Sequence, residues 1–148
     1  MIKIEHGNIE EAVGLSQKIP EFENPYDAAE YHRRMHPGFS LIFLALDAEK
    51  PVGFKVGYAL NNKVFYSWMG GVIPEYRKQG IASILAEKQQ EIVRKEGFEI
   101  LRIKTRNKHR AMLQLLLKDG FFITSVEMQT AIEENRIILE KVLQKINT

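Results

Sequence analysis

The run PEYRKQGIAS, Pro74 to Ser83, places two cations, a glycine and small residues ahead of a helical pattern. Ile81, Ile84, Leu85 and Ile92 recur at helical spacing, so a helix is expected to begin near Gly80. Helix starts usually carry Ser, Thr, Asp or Asn to satisfy free N–H groups. This one carries Gln79-Gly80 behind Arg77 and Lys78, and positive charge there opposes the helix dipole. A bound pyrophosphate resolves the mismatch, because a helix N-terminus presents unpaired N–H groups and partial positive charge. Gly80 lets such a ligand approach the backbone, Ala82 is small for the same reason, and Ser83 offers a hydroxyl. Arg77 and Lys78 then serve as anion partners. The competing reading is a loop of solvated charges in which Gly80 serves only backbone conformation. The fingerprints G-x-G-x-x-G and G-x-x-x-x-G-K-[ST] are both absent, so the usual NAD and NTP cradles have no direct support.

Two other residue sets have chemical spacing. His32 and His36 stand i,i+4, a chelating geometry on a helix, but HRRMH lacks the Glu of H-E-x-x-H and no third ligand is evident. No metal is expected. In ILRIKTRNKHR, Arg102, Lys104 and Arg106 fall on one side of a strand, followed by Lys108 and Arg110. A solvated strand face is the plain reading; contact with an acidic substrate or a phosphate is the alternative. Without interleaved aromatics for base stacking, no nucleic-acid partner is expected.

The elements that must position these residues alternate helix and strand. A strand over Ile2–Glu5 opens the chain. Asn8 with Glu11 three residues on forms a capping box for a helix toward Ile19, stopped by Pro20. A second helix is expected with Asn24 as cap and Pro25 at its first position, ending before Pro37-Gly38. LIFLAL, Leu41–Leu46, reads as a strand buried on both faces. VGFKVGYAL alternates, with Phe54, Val56, Tyr58 and Leu60 on one side, and Asn61-Asn62 turns it back into KVFYSWMGGVI. Gly70-Gly71 inside that strand marks a bulge or a close backbone approach. The helix from Gly80 to Glu96 stops at Gly97. EILRIKTRN is the next strand, HRAMLQLLLKDG an apolar helix ending at Gly120, and FFITSVEMQ with RIILEKVL a closing hairpin around Glu133–Asn135. The order β-α-α-β-β-β-α-β-α-β-β is that of an α/β domain with helices covering a mainly antiparallel sheet.

Composition bounds the rest. A chain of 148 residues without repeats or linkers is expected to form a single domain, 1–148, with a real core. Lys+Arg 21 against Asp+Glu 19 leaves a net charge of +2, too small to imply a nucleic-acid partner without a local cluster. The absence of Cys excludes disulfides, thiolate metal sites and a Cys nucleophile. No apolar run is long enough to span a bilayer, and MIKIEHGNIEEA lacks a signal-peptide pattern. A soluble, cytoplasmic protein with no membrane partner is expected.

RKQGIA, Arg77–Ala82, matches the Q/R-x-x-G-x-G/A signature of the GNAT superfamily of N-acetyltransferases, between a strand and a helix as in that family. A second landmark, an Asn ending a strand, a helix containing an Ala, then Gly-Phe, is matched by Asn107, Ala111 and Gly120-Phe121. The chain therefore resembles this superfamily over roughly Val64 to Phe122. The resemblance implies the GNAT fold: a mixed, mostly antiparallel sheet of about seven strands flanked by four helices. It implies acetyl-CoA as cosubstrate and a primary amine as acceptor, attacked directly with both substrates held together. It also implies a pyrophosphate on Gln79, Gly80, Ile81, Ala82 and Ser83, with Arg77 and Lys78 adding loop contacts and charge. The pantetheine arm would pair with the strand ending at Val72, helped by a bulge at Gly70-Gly71. A backbone N–H between Gly70 and Val72 would polarise the thioester carbonyl, and Asn107 would hold the arm where two central strands part.

One departure matters. Many members place a Tyr four residues before the Gly of the second landmark, where it protonates the leaving thiolate; here that position is Leu116. A non-catalytic acyl-CoA-binding module is the alternative that this raises. Tyr66, Ser67, Tyr58 and Glu75 are the candidates for the missing acid and base, with Tyr66 and Ser67 on opposite faces of their strand. The acceptor region expected over Ile19–Phe39 holds Glu21, Glu23, Asp27, Glu30, Tyr26 and Tyr31. Its carboxylates suit a cationic amine, and a solvated amphipathic helix explains them equally well. Family members are often homodimers.

Overall fold

A computed structural model describes residues 1–35 and 37–144. After β1 (Ile2–His6), the expected capping box forms at α1 (Ile9–Ser16): the Glu11 N–H donates to Asn8 Oδ1 and the Asn8 N–H to Glu11 Oε1, each at 2.9 Å. α2 (Ala28–Met35) begins three residues later than Asn24-Pro25 predicts. Its cap is Asp27, whose carboxylate accepts the Glu30 N–H at 3.0 Å. Tyr26 is held 5.3 Å from the Trp68 ring, which keeps the preceding segment off the helical path. His36 and the pairing with His32 lie outside the described residues.

β2 (Ser40–Asp47), β3 (Lys50–Ala59) and β4 (Val64–Val72) form an antiparallel meander. The continuous apolar run of β2 is buried from Leu41 to Ala45, as a strand covered on both faces requires. α3 (Ile81–Lys95) crosses over to β5 (Ile100–Arg106), which pairs parallel to β4. α4 (Arg110–Lys118), β6 (Phe122–Glu127) and β7 (Arg136–Val142) complete a seven-stranded sheet in the order β1-β2-β3-β4-β5-β7-β6. α3 and α4 both close through left-handed glycines, Gly97 and Gly120, as their positions predict. Seven strands and four helices in this order are the expected fold.

α1 and α2 lie on one face, where Phe22 meets Phe54 at 6.3 Å and Tyr31 meets Trp68 at 4.7 Å. α3 and α4 lie on the other, tied by Lys141 of β7, which donates to Gln90 and to Asp119. Phe43, Phe54, Phe65, Leu85, Leu101 and Leu139 are fully buried between these layers. Edge strand β6 leaves Phe122 and Ile123 exposed.

The bulge expected at Gly70-Gly71 is elsewhere. Those glycines pair in register with Lys55 and Phe54, and the shift falls between Val56↔Met69 and Gly57↔Ser67, making Trp68 the extra residue. Gly71 serves the close-approach alternative: a Cβ there would stand 2.7 Å from Ile19 Cδ1. A large aromatic can occupy the bulge because α2 and its leading loop provide rings to pack it against.

Glu30 accepts hydrogen bonds from Arg33 at 2.6 Å and Arg34 at 2.7 Å, which hold its carboxyl at about 2 instead of 4.5. Because the folded value is the lower one, this stabilisation is present above pH 4.5 and fades as pH falls toward 2. The stability difference between wild type and Glu30→Gln, small because solvent screens the pairs, should therefore shrink over that window in urea titrations. A second expectation concerns the cap. Asp27→Ala should lower unfolding free energy by about 1 kcal/mol while Asn24→Ala leaves it unchanged; the reverse order in urea unfolding would restore the earlier helix start.

Candidate active site

From Val72 the chain leaves the sheet through a 3-10 turn, Pro74–Tyr76, anchored by the Tyr76 hydroxyl on the Asp47 carboxylate. Two left-handed residues follow, Lys78 at φ 63° and Gly80 at φ 80°, and α3 starts with no side-chain cap. Among the described residues, the N–H groups of Lys78, Gln79, Gly80, Ile81, Ala82 and Ser83 find no acceptor within the protein. Six successive free donors at a helix N-terminus form an anion cradle. The positive φ of Gly80 favours glycine, which supports the backbone explanation, and a Cβ there would meet nothing within 4 Å, so open space lies in front of the loop. Ile81 buries its side chain in the core and offers only its N–H, while Ala82 and Ser83 are exposed on the first turn.

The two loop cations divide. Arg77 grips Glu21 with both terminal nitrogens, at 2.8 and 2.7 Å, and donates from Nε to the Val72 carbonyl at 3.0 Å. Its charge is spent tying the loop after α1 to the end of β4, and that hydrogen bonding lowers the Glu21 carboxyl. Lys78 has no ion-pair partner among the described residues.

Beside the cradle the sheet opens. β4 and β5 pair only from Val64↔Ile100 to Ser67↔Ile103. Past Ser67 the Trp68 bulge turns β4 away, and β5 continues paired to β7 alone. The edge of β4 from Met69 to Val72, including Gly70 and Gly71, therefore borders a gap. Asn107 sits at the far end of β5, where its N–H donates to Asn135 at 2.7 Å and its Nδ2 to the Ile132 carbonyl at 3.1 Å.

On the α2 face of this gap the structure brings four tyrosines that the sequence singled out, Tyr26, Tyr31, Tyr58 and Tyr66, together with Trp68 and Arg34, which it did not. Trp68 is flanked by Tyr26, Tyr31 and Tyr58 at 5.3, 4.7 and 5.8 Å, with Tyr66 edge-on to Tyr58 at 5.6 Å. The Arg34 guanidinium lies 4.6 Å from the Trp68 ring centre and donates to the Tyr58 hydroxyl at 3.2 Å. The one available signal was the lone Trp of the chain inside a strand. Burial pushes the Tyr66 and Tyr31 phenols up to about 12, so both stay protonated near neutrality. Ser67 faces the opposite way from Tyr66, buried, with its Oγ unpartnered among the described residues. Glu75 is exposed in the 3-10 turn. Leu116, at the position of the expected acid, is buried core.

Two expectations are sharpened. Arg102, Lys104 and Arg106 stay partly solvated but are not free: they pair with Glu140, Glu127 and Glu134 at 2.7, 3.4 and 3.6 Å. Three carboxylates of the acceptor region are similarly used, Glu21 by Arg77, Glu30 by Arg33 and Arg34, and Asp27 as a cap, while Glu23 is exposed with no ion-pair partner among the described residues. A cavity of about 500 Å³ lies away from the cradle, lined by His6 and His32 among others; among the described residues no cluster of three metal-ligating side chains occurs there or elsewhere. No helix among the described residues is long and apolar enough to cross a membrane.

Comparison with known proteins agrees with this fold. Ribosomal-protein-S18-alanine N-acetyltransferase from Escherichia coli superposes with a TM-score of 0.86 at 18% identity, over 99% of this chain and 97% of that one. Ard1 from Thermoplasma volcanium gives 0.82 at 17% identity, over 97% and 99%. A GNAT family acetyltransferase from Elizabethkingia anophelis with acetyl-CoA bound gives 0.75 at 19% identity, over 95% and 97%. At such identities these likenesses establish the fold. No curated protein sequence is significantly similar. The model of the acetyltransferase (GNAT) family matches residues 10–121, and with signature loop, parted strands and element order in place, the chain belongs to that family.

Proposed function

We propose that this protein transfers an acetyl group from acetyl-CoA to a primary amine of a small molecule or a peptide, by direct attack with both substrates bound. The observation that carries the reading is the cradle of six free N–H groups at Lys78–Ser83, placed where β4 and β5 part. In this reading Gln79, Gly80, Ile81, Ala82 and Ser83 hold the pyrophosphate through their amides, and Lys78 adds charge. Arg77 shapes the loop through Glu21. The free edge of β4 from Gly70 to Val72 supplies N–H groups to the pantetheine arm and to the thioester carbonyl, while Asn107 closes the gap at its far end.

The aromatic group around Trp68 and Arg34 faces the gap from the other side and is our candidate acceptor surface. With Glu21, Glu30 and Asp27 already engaged, Glu23 is the carboxylate of this region left for a cationic acceptor. Proximity of the two substrates supplies much of the rate. Tyr66, with its phenol at about 12, is unsuited to be the base. A second reading, an acyl-CoA-binding module without turnover, is favoured by Leu116 alone, an apolar residue where the family's acid stands.

Calorimetry should show acetyl-CoA binding by wild type and at least a hundredfold weaker binding by Gly80→Trp, with circular dichroism confirming that the variant folds. A wild type that ignores millimolar acetyl-CoA, on the order of the weakest affinity a specific site would show, would end both readings. Thiol release measured over amino acids, polyamines, aminoglycosides and peptide N-termini separates them: acceptor-dependent release supports the enzyme, and binding without release from any amine supports the module.

A further inference from the structure

On the face of the sheet covered by α3, Lys55 of β3 stands directly opposite Gly70 of β4. Gly53, two residues earlier on the same face, would bring a Cβ within 3.4 Å of Leu85 Cδ1 of α3, so Lys55 projects under that helix. Its stem leans onto β4: a Cβ on Gly70 would be 3.1 Å from Lys55 Cδ. The missing side chain at Gly70 thus leaves a passage over β4 toward the gap, and the lysine occupies it.

Nothing among the described residues explains a cation there. Its strand neighbours are Phe43 and Gly70, and the buried stripe of α3 above it is Ile81, Leu85, Gln89 and Val93, none of them charged. Lys55 has no carboxylate partner among the described residues, and desolvation alone lowers its ammonium to about 8. Two polar atoms on elements of this face, Ser67 Oγ and Gln89 Nε2, are buried and lack partners among the described residues. Buried polar groups are ordinarily paired, so two unmet buried atoms on the face that also carries the partly exposed Lys55 mark a place built for a ligand or its ordered water.

We infer that Lys55 is the proton donor to the CoA sulfur, filling the role left vacant at Leu116. The inference rests on the acetyl-transfer reading above. The acceptor nitrogen bonds to the acetyl carbon, the C–S bond breaks, and sulfur leaves with the electron pair. The Lys55 ammonium hands its proton to that sulfur, giving the free thiol, and the neutral amine regains a proton from solvent. The acceptor attacks as the neutral amine and its nitrogen, once bonded to the acetyl carbon, releases its extra proton to water, so the sum is amine plus thioester to amide plus thiol. A donor is most effective when its pKa lies near both the operating pH and that of the leaving thiol, ~8.5 for an alkyl thiol. Lys55 meets that condition; Tyr66, at about 12 and on the other face, does not.

The test uses free CoA, which needs no acceptor. An ammonium beside the sulfur favours the thiolate, so the ultraviolet thiolate absorbance of bound CoA should titrate about one pH unit lower in wild type than in Lys55→Met, a tenfold difference. Lys55→Arg, which keeps the charge, should behave as wild type, and the apolar Met replacement should fold. Once an acceptor is found, Lys55→Met should lower kcat about a hundredfold with the KM for acetyl-CoA within threefold. Because the donor must be protonated, wild-type activity should fall as pH rises through about 8, and that limb should vanish in Lys55→Met. Tight CoA binding with identical thiol titration in wild type and Lys55→Met overturns the role of Lys55 and leaves acetyl transfer standing. Failure of wild type to bind CoA overturns the acetyl-transfer reading itself.

Discussion

Backbone N–H and C=O groups must find partners, and this chain organises its site by withholding them at two adjoining places. β4 loses β5 after Ser67, and α3 begins without a cap. Each exposes a row of peptide groups, one along an extended edge and one around a helix start. An unpaired strand edge inside a sheet is costly unless solvent or a ligand serves it. The parallel pairing of β4 with β5 makes the arrangement stable: the two strands are secured over Val64–Ser67, by α3 above and by β7 beyond, and are released only past the bulge. In the proposed reading, an elongated ligand with an anionic end and a peptide-like arm would satisfy both rows together.

Sheet alternation then divides the chemistry between two faces. Phe65 and Ser67 turn toward α3, with Lys55 beside them, whereas Tyr58, Tyr66 and Trp68 turn toward α2. The extra residue at Trp68 changes the phase of that alternation at the point where the strands part. One side of the gap is thereby apolar with isolated polar groups, and the other is aromatic with an arginine. The cations of β5 are held within the protein by Glu127, Glu134 and Glu140, two of which also meet Arg136 and Lys108.

Much of this was legible in the residues because it is local. Asn8 with Glu11, Gly97, Gly120 and the apolar run of β2 each state their structure within a few positions. The mismatch of Arg77, Lys78 and Gly80 with an ordinary helix start was legible for the same reason. Asn24-Pro25 misled because Asp27 offers an equally good cap, and the choice was made by Tyr26 packing on a distant Trp68. Gly70-Gly71 misled because glycine marks either a bulge or a close approach, and only Ile19 arriving from α1 decides which.

By itself, the sequence determined the order of the elements, the loop that opens α3 and the absence of a hydroxyl at Leu116, since each depends on a residue's own conformational or chemical limits. Only the tertiary structure decided that Arg77 belongs to Glu21, that Trp68 is the bulge, that Arg34 joins the aromatic side chains, and that Lys55 lies over Gly70 without a partner. These are contacts between positions far apart in the chain. Side-chain type limits what a residue is able to bond, and packing alone determines which bonds are left for a ligand.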